Sequence, residues 1–353
     1  MLLPHSTVEA LESRIAPAGL ITATFSGGSL VIDGDAEANN LTITQIAPDA
    51  LSLSSSSGNI QLDLPGNSDP APASTIVVKD FTGSLTIRLG GGNDVLNIAD
   101  FYAPKKVTID LGGGSNGLVL ADIHASGKME ILGGDGGNDI AIQSLRTSGP
   151  VNVRLGGGMD TVAVGTLAAK SASFTLGAGD DSLLINGALV RGALTVDGGA
   201  GANGVTLGDG SAIDAGGKIS VVYGDDAFVD ATKFMGSLTR FGSLVIENGN
   251  ATALTQIISP LLEGGSIKIV NGGSGGTILL NSAFTSMKSL KVIGGAGNDS
   301  LEVNPLVNLN ITGSLVFKGG DGNDTVAVVS NGRIGGKVTL EMGASASIQG
   351  VNI

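Results

Sequence analysis

The feature that most constrains this chain is a glycine-rich turn that recurs between short segments of alternating apolar and polar residues. Two copies, Gly-Gly-Ala-Gly-Asn-Asp at residues 294–299 and Gly-Gly-Asp-Gly-Asn-Asp at residues 319–324, lie 25 residues apart. A unit that recurs every 20 to 50 or so residues indicates a solenoid or a related array, in which each unit buries its apolar face against its neighbours. The turn is therefore the reference point for dividing the chain.

The turn can be followed upstream at nearly constant spacing, with successive turn-closing positions 21 to 26 residues apart and a typical repeat of about 22 residues. The aligned positions are Asp94, Asn116, Asp139, Asp160, Asp181, Asn203, Asp226, Asn250, Gly276, Asp299 and Asp324. Before them, the same alternation is present with irregular spacing. We therefore divide the chain into a lead-in over residues 1–19 and a repeat region over residues 20–353, irregular in 20–83 and regular in 84–353.

Apolar and polar residues alternate within each repeat, which is the period of a β-strand and not of a helix. Inward positions before the turn include Val151 and Val153, those after it include Val95 and Ile98, and a third, looser leg carries anchors such as Leu189. About 22 residues suit one coil of a parallel β-helix with two regular faces and one irregular face. The sequence predicts an all-β fold, a single parallel β-solenoid, and parallel crossovers favour right-handed winding.

Two parts of the repeat region carry separate expectations. Residues 251–263 depart from the alternating pattern, and we expect a short helical or looped excursion there before the coil resumes. Residues 338–353 look like an ordinary coil with no helix, charge run or proline to protect it. An unpaired strand edge above an apolar core predicts end-to-end association of the protein with itself.

The composition limits the classes of partner. The net charge of -13 disfavours nucleic acid and anionic membrane surfaces, which need basic proteins, and favours divalent cations. No segment is long enough to span a bilayer, so we expect no membrane insertion. The absence of cysteine excludes disulfides, thiolate metal sites and cysteine nucleophiles.

Residues 294–302 and 319–327 resemble the Gly-Gly-x-Gly-x-Asp-x-apolar-x nonapeptide of the RTX calcium-binding β-roll proteins. In that family the sixth-position Asp and turn carbonyls of stacked neighbours hold calcium, which the resemblance carries over best to Asp299 and Asp324. It implies the same role less strongly for four of the other aligned carboxylates, Asp94, Asp139, Asp160 and Asp181. The family has nonapeptides on both sides of the roll, whereas one turn per repeat fits here, so we expect one column of sites.

Electrostatics supports calcium independently of the resemblance. Carboxylates one coil apart repel each other, by about 1 kcal/mol in water and more at lower dielectric, and an oxygen-seeking cation between them reverses that sign. Asp139, Asp160 and Asp181 are aligned on three consecutive coils. The alternative is that Gly-Asn-Asp is the chemistry that a tight turn with positive φ requires, with exposed carboxylates tolerating one another in water.

The lead-in suggests export. It lacks the basic and apolar regions of a standard secretory signal peptide. Residues 11–18, Leu-Glu-Ser-Arg-Ile-Ala-Pro-Ala, resemble the Leu-Glu-Pro-Arg type motif near the start of large bacterial surface and secreted repeat proteins, with Ser13 in place of the usual proline. The resemblance implies an extracellular or cell-surface location.

Catalysis has little support in the sequence. His5 and His124 are the only histidines, and neither lies in a metal or general-base motif. We therefore expect a non-enzymatic structural or adhesive solenoid, stabilised by calcium, with other surface proteins or polysaccharides as further partners. The alternative is a β-helix that binds or cleaves polysaccharides, because calcium-dependent lyases also use parallel β-helices with Asp clusters and a basic residue.

Overall fold

The computed structural model describes residues 20–66, 69–225, 230–250, 252–259, 261–281, 284–304, 308–329, 331–342 and 345–349. The lead-in over 1–19, with its export-type motif, lies outside the described residues. Every regular element in the described ranges is a β-strand. None of these residues forms a helix long and apolar enough to cross a membrane.

The strands, numbered in chain order, are β1 (Ile21–Ser26), β2 (Ser29–Asp33), β3 (Asn40–Ala47), β4 (Ala50–Ser55), β5 (Ile60–Asp63), β6 (Thr75–Val78), β7 (Leu85–Arg88), β8 (Val95–Ala103), β9 (Val107–Asp110), β10 (Gly117–Ala125), β11 (Met129–Leu132), β12 (Asp139–Thr147), β13 (Pro150–Arg154), β14 (Thr161–Ala169), β15 (Ser171–Thr175), β16 (Ser182–Val190), β17 (Leu194–Asp197), β18 (Gly204–Leu207), β19 (Ile213–Ala215), β20 (Lys218–Val222), β21 (Asp230–Phe234), β22 (Leu238–Arg240), β23 (Ser243–Glu247), β24 (Ala253–Ile257), β25 (Leu262–Glu263), β26 (Ser266–Val270), β27 (Gly276–Leu280), β28 (Phe284–Met287), β29 (Ser289–Ile293), β30 (Ser300–Val303), β31 (Asn308–Ile311), β32 (Leu315–Lys318), β33 (Thr325–Val329), β34 (Arg333–Ile334), β35 (Val338–Glu341) and β36 (Ser345–Gln349).

The chain winds as a parallel β-solenoid, which confirms the predicted fold. The first leg of every coil belongs to one sheet, in which β7, β9, β11 and β13 lie side by side in sequence order and the pattern continues to β35. Its register advances by 22 residues from Leu85 to Val107 and by 25 from Leu290 to Leu315. Each coil therefore rests on the next through a parallel ladder of backbone hydrogen bonds.

The second and third legs belong to another parallel sheet. In β8, β10, β12, β14 and β16 one nine-residue strand supplies both legs. It bends at Asp100 in β8 and at Asp122 in β10, which have φ of 49° and 52°. Beyond β16 the long strand gives way to two short ones per coil, since β16 pairs with both β18 and β19. Each coil thus has three sides, with a turn between the first and second.

Antiparallel pairing among the described strands is confined to the irregular beginning of the repeat region. β1 pairs antiparallel with β2, and β4 pairs antiparallel with both β3 and β6. β2 and β3 also pair in parallel with β7 and β8, the first strands of the regular coils. The hairpins therefore cover one end of the stack, which explains why 55 residues separate Leu30 from its partner Leu85.

The core is a set of apolar rows along the solenoid. One row contains Leu85, Val107, Met129 and Val151, each at most 1% exposed. Each coil buries a few apolar side chains against the adjacent coils. The stability of the solenoid is therefore a sum of contacts between neighbouring coils and does not depend on one central core. This arrangement explains how a chain with 3% aromatic residues fills its interior.

The turns stack as closely as the strands do. Gly112 has φ of 74°, and a Cβ there would collide with the carbonyl oxygen of Gly90 in the preceding coil. Only glycine satisfies both the left-handed conformation and this close approach without strain. The glycine content therefore follows from turns stacked directly on one another.

Two of the predicted inward positions are wrong. Val95 is 39% exposed while Leu96 and Ile98 are buried, and Leu189 is 52% exposed while its neighbour Val190 is buried. Residues three apart, such as 95 and 98, cannot face the same side of a strand with a period of two.

The predicted excursion in residues 251–263 is also wrong. Its described residues include β24, which pairs in parallel with β21 on one side and β27 on the other, and β25, which pairs with β28. Neighbouring coils offer hydrogen-bond partners on both edges of this segment, and those contacts outweigh its irregular hydrophobic pattern.

Register predicts how neighbouring residues tolerate substitution. We expect Val153→Asp to lower the unfolding free energy by roughly 3 kcal/mol or more, because Val153 is fully buried and the new carboxylate has no partner. Arg154→Ser should change it by about 0.5 kcal/mol or less, because the Arg154 side chain is 61% exposed. Thermal melts followed by circular dichroism measure both, and equal stability of the two variants would contradict the register.

Candidate metal centre

The glycine turns place an asparagine or aspartate two residues before the first buried apolar residue of the second leg. These side chains point into the solenoid and occupy equivalent positions in successive coils, as the strand register shows. All are 3% exposed or less. We call this row the Asn/Asp ladder, and its members are Asn39, Asp94, Asn116, Asn138, Asp160, Asp181, Asn203, Asp230, Asp299 and Asp324.

Side-chain Oδ1 atoms connect the ladder from coil to coil. In most steps the backbone N–H of one member donates to the Oδ1 of the member in the next coil. The donor, acceptor and N···O distances are Asn39 to Asp94 (2.7 Å), Asp94 to Asn116 (2.9 Å), Asn138 to Asp160 (2.7 Å), Asp160 to Asp181 (2.8 Å), Asp181 to Asn203 (3.0 Å), Asn203 to Asp230 (3.1 Å) and Asp299 to Asp324 (3.0 Å). The ladder thus supplies acceptors for buried backbone donors at the turn.

Asparagine members satisfy their second polar atom locally. The Nδ2 of Asn116 donates to the carbonyl of Gly114 at 3.1 Å, and the Nδ2 of Asn138 donates to that of Gly136 at 2.7 Å. Asn203 makes the same bond. Because the carbonyl two residues earlier can only accept, an ionised carboxylate in this position has nothing to donate to it.

Aspartate members in the middle of the ladder leave that second atom unsatisfied. The Oδ2 atoms of Asp94, Asp160 and Asp181 are buried without a hydrogen-bond partner among the described residues. A buried carboxylate oxygen in this state is costly as long as it carries charge. Asp160 and Asp181 occupy adjacent coils, so two such oxygens lie in neighbouring steps of one row.

Burial changes the acidity of these groups. It raises the pKa of Asp181 to about 6, an effect that the N–H of Asp160 partly opposes and the carboxylates of Asp160 and Asp180 reinforce. Burial likewise raises the pKa values of Asp94 and Asp160 above 3.8. The ladder therefore favours neutral or cation-bound carboxyl groups.

The ladder changes its construction toward the end of the repeat region. Ala253 and Gly276 occupy the ladder register in two consecutive coils, and the amides of Asn248 and Asn271 extend from across the turn in place of the missing side chains. Asn248 Nδ2 donates to Asn271 Oδ1 at 2.7 Å, and Asn271 Nδ2 donates to Asp299 Oδ1 at 2.8 Å. A side chain on Gly276 would collide with the Asn271 amide, so the two positions are complementary.

Asp299 differs from the carboxylates in the middle of the ladder. Its Oδ1 accepts from Asn271, and its Oδ2 accepts the backbone N–H of Gly295 at 3.0 Å. Burial raises the pKa of Asp299, although these hydrogen bonds oppose the change. In one of the two turns that best match the calcium-binding nonapeptide, both carboxylate oxygens of Asp299 therefore already accept hydrogen bonds from the protein.

The structure places five of the six predicted metal-binding residues in one row along the solenoid. Asp94, Asp160, Asp181, Asp299 and Asp324 all belong to the ladder, at different positions along it. Asp139 does not, because Asn138 holds the ladder position and Asp139 begins β12 as an exposed residue. Asp139, Asp160 and Asp181 lie on consecutive coils as expected, but they do not form one row, and of these three only Asp160 and Asp181 are neighbours in the ladder.

Another aligned position also differs from the ladder residue of its coil. Asp226 lies outside the described residues, and the ladder residue in that coil is Asp230. Sequence reasoning missed the inward direction of the whole row, although the signal was present. Counting backward by two from a buried residue such as Leu96 places Asp94 on the same inward face.

The described residues contain no group of three or more His, Asp or Glu side chains placed to hold a metal ion. A cation in the ladder would thus rely on two carboxylates completed by backbone carbonyl oxygens. Comparisons with protein families, with curated proteins and with solved structures find no match for this chain.

The raised pKa of Asp181 predicts how stability depends on pH. Its folded form binds a proton more tightly than the unfolded chain, whose Asp pKa is near 3.8, so the unfolding free energy rises as the pH falls through about 6. Protonation of Asp181 raises the unfolding free energy by on the order of 3 kcal/mol at most, and the full gain is reached below about pH 3.8. In chelator, we expect the melting temperature to be higher at about pH 5 than at about pH 7.5.

Asp181→Asn separates this effect from general titration. The variant should be more stable than the parent near neutral pH, and its melting temperature should vary less with pH, because an amide at this position can donate as Asn203 does. Asp139→Asn is the control, because Asp139 is an exposed carboxylate outside the ladder. A destabilised Asp181→Asn variant would contradict this account.

Proposed function

We propose that the protein is a non-enzymatic structural or adhesive module of the cell surface or extracellular space, stabilised by calcium bound within the Asn/Asp ladder. The observation that carries the proposal is the pair of adjacent buried carboxylates, Asp160 and Asp181, each with an unsatisfied Oδ2. The continuous strand register over successive coils supports a role as a rigid spacer with a long lateral surface.

Calcium fits the chemistry of this pair. It prefers oxygen ligands and accepts mixtures of carboxylates and backbone carbonyls. Asp160 and Asp181 would each contribute Oδ2, and the carbonyls of Gly158 and Gly179 hold the sequence position that the Gly114 carbonyl holds beside Asn116. When bound, the ion would neutralise two buried charges that otherwise destabilise the fold.

Asp299 is a weaker candidate for calcium binding than Asp160 and Asp181. Both of its oxygens already accept hydrogen bonds, so binding an ion would require those bonds to be replaced. We therefore assign the calcium to the middle of the ladder, although the closest sequence resemblance lies in the turns that end at Asp299 and Asp324.

An external location agrees with weak, carbonyl-assisted calcium binding, since extracellular modules operate at about 0.1–1 mM calcium. The export-type motif at residues 11–18 supports the same location. Self-association through the edge strand β35 remains a further prediction, and its inward-facing Val338 and Leu340 are only partly buried.

Polysaccharide binding or cleavage is the second candidate function. The observation that favours it is an exposed aromatic pair, in which the rings of Tyr102 and His124 stack with centroids 6.3 Å apart. A screen for unsaturated sugar products with acidic polysaccharides would separate cleavage from binding.

The calcium proposal predicts a ligand-dependent melt. At a calcium concentration 100 times Kd, binding to the folded state alone adds about 2.7 kcal/mol to the unfolding free energy. We expect the melting temperature at neutral pH to rise on replacing chelator with millimolar calcium, and to rise less at about pH 5, where protons occupy the same carboxylates.

Matched variants locate the ion. The double variant Asp160→Asn with Asp181→Asn should fold and lose the calcium response, because asparagine is already present elsewhere in the ladder. Asp139→Asn with Asp180→Asn removes the same charge from exposed positions and should keep the response. If the melting temperature of the parent protein is the same in chelator and in calcium, the calcium assignment is wrong.

A further inference from the structure

The acidic surface of this protein is interrupted by a basic region on one side. The third legs of five successive coils and the corners that follow them, residues 101–106, 123–128, 145–150, 167–171 and 188–193, contain no aspartate or glutamate. We call their lysines and arginines the basic strip: Lys105, Lys106, Lys128, Arg146, Lys170 and Arg191. Such a cluster of basic residues is unexpected in a chain of net charge -13.

An outward row of residues crosses the strip along the solenoid axis. The register of β8, β10, β12, β14 and β16 aligns Tyr102, His124, Arg146, Ala168 and Leu189, one per coil. The row begins with two stacked rings, of which Tyr102 is 54% exposed, and continues with the exposed Arg146. Ala168 is the smallest member, and its short side chain creates a depression between Arg146 and Leu189.

This depression is part of a groove of about 270 Å³. Arg146 and Arg191 line it, together with the exposed Ser126 and Ser148. An aromatic platform beside two guanidinium groups and serine hydroxyls matches the polar and apolar faces of a sugar.

The groove arginines are available for a ligand. Lys106 and Lys128 are engaged by Glu130, at 3.7 and 2.8 Å. In contrast, no carboxylate among the described residues lies within 4.0 Å of Arg146 or Arg191. Arginine forks pair with planar carboxylates through two parallel hydrogen bonds.

We propose that this groove binds an acidic polysaccharide, with a uronate-type carboxylate held by Arg146 and Arg191 and a neighbouring sugar stacked on Tyr102 and His124. The five coils span roughly 19 Å, four coil spacings of about 4.8 Å, which is suited to a short run of an extended glycan. The proposal gives the adhesive part of the proposed function a chemical partner, but it is independent of calcium in the ladder.

Nucleic acid fits the groove less well. A phosphate backbone needs a broad basic surface, and binding to it is dominated by the summed charge of the protein face. Here the strip is narrow and belongs to a strongly acidic molecule, so a densely charged polymer is repelled beyond the strip. A short uronate oligomer that stays within the strip avoids this repulsion, and its hydroxyl groups can form hydrogen bonds with Ser126 and Ser148.

Calorimetric titration of the full chain with a short oligogalacturonate, in chelator, tests the proposal without the calcium site. We expect measurable binding that weakens with added salt. Arg146→Gln and Arg191→Gln should each weaken it roughly tenfold, while Lys291→Gln, an exposed change in the other sheet, should leave it unchanged. Tyr102→Ala should also weaken binding, with little change in its salt dependence.

The controls separate the possible ligands. The methyl-esterified oligomer lacks the charge and should bind much more weakly than the acid. Equal binding of the two, absence of oligogalacturonate binding, or tighter binding of a single-stranded oligonucleotide of equal charge would each overturn the assignment. Because the arginine side chains are exposed, unchanged melting temperatures should accompany the losses, and the calcium response should persist in Arg146→Gln.

Discussion

The structure depends on how buried backbone donors are satisfied where each coil turns. Strand pairing satisfies the backbone N–H and C=O groups within the legs. At the start of the second leg, however, the ladder residue has an N–H that faces the next coil. The Oδ1 of the next ladder member accepts it, from Asn39 and Asp94 at one end to Asp299 and Asp324 near the other. In most coils a short side chain with an acceptor oxygen fills this role, so the turn sequence, the coil spacing and the row of Asn and Asp residues depend on one another. Ala253 is an exception, because its N–H donates to the carbonyl of Gly275 at 3.2 Å.

Asparagine and aspartate solve this problem with different consequences. Both offer Oδ1, but asparagine also donates to a carbonyl of its own turn, whereas aspartate leaves a second oxygen that needs a proton or a cation. A ladder built only from asparagine would contain no carboxyl group to bind a proton or a cation. In our proposal, protons and calcium both stabilise the ladder near Asp160 and Asp181, because each would neutralise the same buried charge.

The sequence predicts the solenoid well because its evidence is local and repeated. Alternation identifies the strands, and the Gly-rich turn sets the coil length. The register was harder to predict to a single residue. Asn138 and Asp139 could each close the turn, and only the strand pairing with the adjacent coil, which aligns Asn138 with Asn116, decides between them. Replacement of the ladder side chain at Gly276 by Asn271 involves residues on opposite sides of a turn, so no repeat alignment could reveal it.

The basic strip is another feature that the sequence did not predict. Its residues are spread over about 90 positions in a chain whose net charge is strongly negative, and composition alone predicted no basic surface. Coil stacking converts that wide sequence separation into adjacency, since residues about 22 apart become direct neighbours. Function in a solenoid is therefore best sought along rows across coils and not in contiguous motifs.

The most direct test of the ladder is a carboxyl titration followed by the side-chain carbonyl carbons of assigned aspartates in NMR, performed in chelator. We predict that Asp181 titrates near 6 and Asp160 above 3.8, because both are buried with an unsatisfied oxygen. Titration of both groups at or below 3.8 would show that their charged forms are fully stabilised in the fold, and would contradict the account.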